Sequence, residues 1–108
     1  MVKAVKAAQL ADQIRVYLAQ WSAQDLFGLF FSITQVTLQT DMQSATAWVD
    51  VLRPEDEAKV MRELARNLPT YQRKLQHTLQ RRNVPKIGFT IDRQEELSAR
   101  MDELLKGE

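Results

Sequence analysis

FSITQVTLQTDMQSATAWVDVL, residues 31–52, is the stretch on which the fold turns. Its first part, Phe31 to Leu38, is rich in β-branched and aromatic residues, which predicts a strand. The apolar phase slips from Phe31 and Ile33 to Val36 and Leu38, and a bulge near Thr34-Gln35 reconciles the two halves. Gln39 to Gln43 is polar and turn-like. Ala45, Ala47, Val49 and Val51 then alternate with Thr46, Trp48 and Asp50, the period of a half-buried strand. Two strands joined by so short a turn are expected to be antiparallel neighbours.

Downstream, Pro54 followed by Glu55, Asp56 and Glu57 marks a helix start, because proline fits the first turn and acids favour the positive end of the helix dipole. Met61, Leu64, Ala65 and Leu68 are expected to form its inward stripe. Pro69 lacks an N–H and clashes with the preceding turn, yet Tyr71, Leu75 and Leu79 resume helical spacing at once. The prediction is helix, sharp kink, helix, with Pro69 in the first turn of the second segment. Ile87, Phe89 and Ile91 alternate with Gly88, Thr90 and Asp92 as a third strand. Leu97, Met101, Leu104 and Leu105 predict a short helical tail within 93–108. Upstream, Leu10, Ile14, Tyr17, Leu18 and Trp21 recur at helical spacing, so a first helix is expected from about Lys3 to Ser22, with Ala23 to Leu29 as a connection. Three strands that each offer one apolar face, with helices to cover it, make a two-layer α+β domain over residues 1–108.

The chain has 108 residues, 44% hydrophobic and 27% charged, the composition of one soluble globular domain. It has no cysteine and a single histidine, His77, which removes disulfides, thiolate metal sites and cysteine nucleophiles. No Gly-rich phosphate loop or nucleophile–base pair can be assembled, so neither an enzyme nor a small-molecule or cofactor site is expected. The carboxylates of Glu55, Asp56 and Glu57 read as dipole partners and His77 as a surface residue. No apolar run approaches the roughly 20 residues of a membrane span, and the N-terminus lacks the pattern of a secretory signal, which leaves a cytoplasmic monomer as the expectation.

The formal net charge of +1 conceals a segregated chain. Residues 1–58 carry four basic and seven acidic side chains, and residues 87–108 carry three and six. Between them lie Lys59, Arg62, Arg66, Arg73, Lys74, Arg81, Arg82 and Lys86, opposed by Glu63 alone. Such segregation suits a polyanionic partner. On a helical wheel Lys59, Arg62 and Arg66 lie roughly 130° from the Met61–Leu68 stripe, so they are exposed whenever that stripe is buried. A break at Pro69 also predicts a new helix N-terminus, whose unpaired N–H groups near Thr70 and Tyr71 suit phosphate oxygens. Asn67 is placed to cap that start or to touch a phosphate. Trp48 faces away from Val49, where packing under the N-terminal or tail segment is expected ahead of base stacking. Two other readings remain: a duplex-DNA binder using the broken helix as a helix-turn-helix, and a protein-interaction module using the acidic ends and Trp48.

Residues 31–52, the run Val84-Pro85-Lys86-Ile87-Gly88-Phe89-Thr90-Ile91-Asp92 and the ending Met101-Asp102-Glu103-Leu104-Leu105 resemble ribosome-binding factor A, a family of bacterial small-subunit maturation factors. The likeness runs from about Asp25 to Leu105, and the combined order and spacing of its parts are more specific than any single motif, the Val-Pro-x-x-x-Phe-x-x-Asp element after a basic helix included. It implies a KH-like domain of the second topology, α-β-β-α-kink-α-β, in which a helix-kink-helix replaces the loop that clamps nucleotides. It further implies binding of immature small ribosomal subunits through rRNA, help with late rRNA processing, and support of growth in the cold. The expected RNA-binding residues are Lys59, Arg62, Arg66, Asn67, Thr70, Arg73, Lys74, Arg81, Arg82 and Lys86. The chain departs from the family pattern at Asn67-Leu68-Pro69, where Ala-x-Gly is usual. It departs again at Gln72, in place of an arginine, and at Asp25-Leu26-Phe27, in place of Asp-Pro-Arg.

Overall fold

The computed structural model describes residues 2–93, so the expected tail helix lies outside the described residues. The elements run α1 (Val2–Asp25), β1 (Phe31–Leu38), β2 (Ser44–Val51), a 3-10 turn at Pro54–Asp56, α2 (Glu57–Leu79) and β3 (Lys86–Ile91). The sheet order is β1-β2-β3. The pair β1–β2 is antiparallel, as the short turn requires, and its register shifts between Ile33 and Gln35. The bulge expected from the phase slip is therefore present. It pushes Thr34 out of the ladder, and the Thr34 hydroxyl donates to an Asp92 carboxylate oxygen at 2.8 Å, across the sheet. β2 and β3 are parallel, a pairing that alternation within single strands does not specify. Parallel neighbours need a long crossover, and α2 supplies it.

Ala45, Ala47, Val49 and Val51 line one face of β2, all buried, with Ile33 and Ile87 beside them on the flanking strands. Onto this face α1 brings Leu10, Ile14 and Leu18, and α2 brings Val60, Leu64, Tyr71 and Leu75. The inward stripe of α2 thus differs from the sequence reading. Val60 replaces Met61 and Leu68, which are half-buried, and Ala65 is exposed. The phase taken from Met61 and Leu68 was displaced from the buried line, and only contact with the sheet reveals the displacement.

Pro69 brings a larger correction. Where two helical segments were expected, a single α-helix runs from Glu57 to Leu79 with Pro69 inside it. The physical reason is the side on which the proline sits. Pro69 and Ala65 are both exposed. The one hydrogen bond that proline deletes, to the Ala65 carbonyl, therefore falls on the face open to water. On the other face Val60, Leu64, Tyr71 and Leu75 are fully buried on both sides of position 69. Burial of such side chains at about 1.5–3 kcal/mol each outweighs a proline penalty of about 3 kcal/mol.

Trp48 lies on the sheet face opposite Val49, as expected, and its packing under the tail segment falls outside the described residues. It sits in the sheet face opposite to the one that α1 covers, half-buried, and its indole N–H donates to the Thr37 hydroxyl at 3.0 Å.

Candidate nucleic-acid interface

Helical continuity through Pro69 places the cations of α2 on one line. At about 100° per residue, Lys59, Arg62, Arg66 and Arg73 fall within roughly 60° of one another, centred roughly 160° from the buried line. All four are exposed. At 1.5 Å per residue the line from Lys59 to Arg73 is about 21 Å long. Thr70 fills the gap between Arg66 and Arg73, and His77, one turn beyond Arg73, extends the same line. The two ion pairs among the described residues, Asp12–Arg15 and Glu57–Arg93, involve none of these side chains. Their charge is therefore not neutralised within the described part of the molecule.

The remaining expected residues occupy other places. Asn67 is mid-helix and half-buried, and its side-chain N–H donates to the Glu63 carbonyl at 2.9 Å, so it caps no helix start. The separate N-terminus expected at Thr70 and Tyr71 is absent for the same reason, since both lie inside α2. Lys74 stands on the flank facing α1, with its Nζ 5.3 Å above the Trp21 ring, a cation–π contact that leaves the residue exposed. Arg81 and Arg82 follow the end of α2, where Gln80 adopts the left-handed conformation (φ 51°) and the Arg81 N–H donates to the Gln76 carbonyl. There they line an open depression of about 630 Å³ with the β1–β2 turn residues Asp41 to Gln43. Lys86 opens β3, and because its neighbour Ile87 points into the core, Lys86 belongs to the sheet face opposite α1 and α2. The cations thus divide into the α2 line, a pair at one end of the sheet, and a single lysine on the far face.

Two supports of this surface were not apparent in the sequence. The first is Gln72. Its side chain accepts from the Ile87 N–H at 3.1 Å and donates to the Pro85 carbonyl at 2.8 Å. It therefore clamps α2 to the entrance of β3, which explains why a neutral residue stands there beside Arg73. The second is Tyr71, fully buried, whose hydroxyl donates to an Asp25 carboxylate oxygen at 2.8 Å. Burial first, then the hydrogen bond and negative charge of Asp25, hold the Tyr71 phenol far above its ordinary pKa of 10.0. Stacked rings continue from Tyr71 to Trp21 (6.1 Å between centroids) and from Trp21 to Tyr17 (5.5 Å), fastening α2 to α1. The signal for His77 was present in its spacing of four from Arg73, but it has meaning only if the helix is continuous.

The sequence model of the ribosome-binding factor A family matches residues 3–105. The ribosome-binding factor A of Zymomonas mobilis is 28% identical over 108 residues, 94% of this chain and 77% of the relative. The crystal structure of ribosome-binding factor A from Thermus thermophilus superposes with a TM-score of 0.68 at 21% identity, covering 79% of this chain and 94% of that one. A homology model of Thermus thermophilus ribosome-binding factor A, fitted into a cryo-EM map of its complex with the 30S particle, superposes with a TM-score of 0.64 at 26% identity. That match covers 80% of this chain and 94% of that one. The fold is accordingly the KH-like α+β fold of these structures. Across it, α2 has no turn separating two helices, so the geometry of a helix-turn-helix is not built.

Proposed function

Because the chain belongs to the ribosome-binding factor A family, we propose that it binds the small ribosomal subunit through rRNA and assists late rRNA processing without catalysing a reaction. The single observation that carries this reading is the line of exposed cations, Lys59, Arg62, Arg66 and Arg73, along one face of α2. Such a line recognises phosphates, positions the protein on structured RNA and specifies no base sequence. The relative fitted into a 30S complex supports the choice of partner. The protein acts by occupancy: bound to an immature subunit, it holds RNA in one arrangement while other factors work. In this reading residues 1–108 form one domain, which acts in the cytoplasm as a monomer and needs no cofactor. Arg81, Arg82, Lys86 and Lys74 make secondary contacts that depend on how the RNA wraps around the ends of the sheet.

The test is sedimentation of the purified protein with small subunits, with protein-free rRNA precursor and with an equal mass of duplex DNA, at salt from 50 to 200 mM, a range over which phosphate contacts weaken steeply. Binding to subunits and rRNA that falls steeply with salt, against weaker binding to DNA, is the expected result. No binding to either RNA substrate at the lowest salt, or a preference for DNA, would overturn it.

A further inference from the structure

We infer that the end of the molecule where α1 passes into β1 is a docking surface for a basic protein segment bearing apolar side chains. Among the described residues four large apolar side chains are exposed, and three of them lie here: Phe27 at 94%, Leu52 at 71% and Phe30 at 56%. They are brought together by the backbone. Gly28, at φ 94°, lets the loop turn sharply beside Phe27, and the Leu52 N–H donates to the Phe30 carbonyl at 3.0 Å, holding the exit of β2 beside the entry of β1. Two shallow depressions adjoin at Leu29. One, of about 250 Å³, is lined by Phe27, Lys59, Asp25 and Glu63. The other, of about 320 Å³, is lined by Phe30, Phe31, Leu52 and Asp50. Clustered aromatic and aliphatic side chains next to hollows are the makings of an interface centre.

Charge decides the occupant. Asp25, Glu63 and Asp50 stand in the hollows themselves, and Glu55 and Asp56 follow closely on Leu52. Against them are Lys59, at the border with the cation line, and Arg53, whose guanidinium lies 5.9 Å from the Phe30 ring centroid. A nucleic acid stacking a base on Phe27 would bring its phosphates among these carboxylates, which like-charge repulsion opposes. A peptide segment with lysine or arginine flanking leucine or phenylalanine satisfies both features: the apolar side chains cover Phe27, Phe30 and Leu52, and the cations meet the rim. Asp25 is held for that purpose by the Tyr71 hydroxyl. The surface adjoins the cation line at Lys59, so a particle made of both RNA and basic proteins engages the two together. To that extent the inference rests on the function proposed above.

Two measurements separate them. The full chain carrying Phe27→p-benzoylphenylalanine is irradiated on purified small subunits. An adduct that survives ribonuclease and contains a peptide of a basic subunit protein is the expected product; an adduct to rRNA, to a second copy of this chain alone, or none from bound protein overturns the inference. The second needs no subunits: nuclear magnetic resonance titration with a synthetic peptide alternating Lys-Arg pairs with Leu and Phe. Resonance shifts should centre on Phe27, Phe30 and Leu52. The double variant Phe27→Ser, Leu52→Ser should weaken binding at least about ten-fold, and a peptide with serine at its apolar positions should not bind. Absence of binding, shifts centred elsewhere, or an unaffected double variant refutes the docking surface whatever the outcome for RNA.

Discussion

Neutralising the cation line is the perturbation that most directly probes the proposed interface. In the triple variant Arg62→Gln, Arg66→Gln, Arg73→Gln, three charges are removed from an exposed helix face where none is ion-paired among the described residues. Glutamine keeps a high helix propensity, so stability should move by no more than about 0.5 kcal/mol per site. If Lys59 and the three arginines each neutralise one phosphate of helical RNA, counterion release contributes about −0.9 per contact, or about −3.6, to the slope of log K against log salt. Loss of three contacts reduces that slope by about 2.7. Because the lost contribution vanishes as salt approaches 1 M, wild type and variant should converge there and differ by about 500-fold at 0.1 M. The assay is filter binding to protein-free rRNA precursor over a salt series, with circular dichroism and thermal melts as controls for folding. Parallel salt lines for the two proteins, with both fully folded, would refute the reasoning, because the arginines would then carry no phosphate contact.

The remaining predictions concern the scaffold of that surface. Pro69→Ala restores the hydrogen bond to the Ala65 carbonyl; the helix gains about 3 kcal/mol and the looser unfolded chain recovers about 1, so melting should rise by roughly 10 °C. An unchanged or lowered midpoint would mean that Pro69 is required by its neighbours. Tyr71→Phe deletes the bond to Asp25 and should cost about 1–2 kcal/mol in urea denaturation at neutral pH. The raised pKa of Tyr71 favours the protonated phenol in the folded protein. Its contribution is therefore complete below the unfolded value of 10.0 and declines as pH rises above it, so the stability gap between wild type and Tyr71→Phe should narrow from pH 9 to pH 11. Gln72→Leu leaves the Ile87 N–H and the Pro85 carbonyl without their side-chain partner and should cost about 1–3 kcal/mol, with faster hydrogen exchange at Ile87 as its local signature.

Local periodicity alone determined a good deal of this protein. The alternation of Ala45 to Val51 is a period-2 pattern that only a strand can bury on one side, and the phase slip around Thr34 has one geometric remedy, a bulge. The segregation of cations into residues 59–86 is likewise a property of the chain itself. Tertiary structure decided the rest, because the competing energies there are not local. At Pro69 the penalty is written in the sequence, but the burial that exceeds it depends on where the sheet lies, and so does the choice of Val60 over Met61 for the core. The parallel neighbour of β2 is selected by a crossover helix that must cover the same face as α1. Gln72 and Asp25 find partners 15 and 46 residues away, and no helical or strand period relates such separations. The same distinction governs the cations: their number belongs to the sequence, whereas their division between the outer line of α2, the end of the sheet and its far face follows from which side of each element the core occupies.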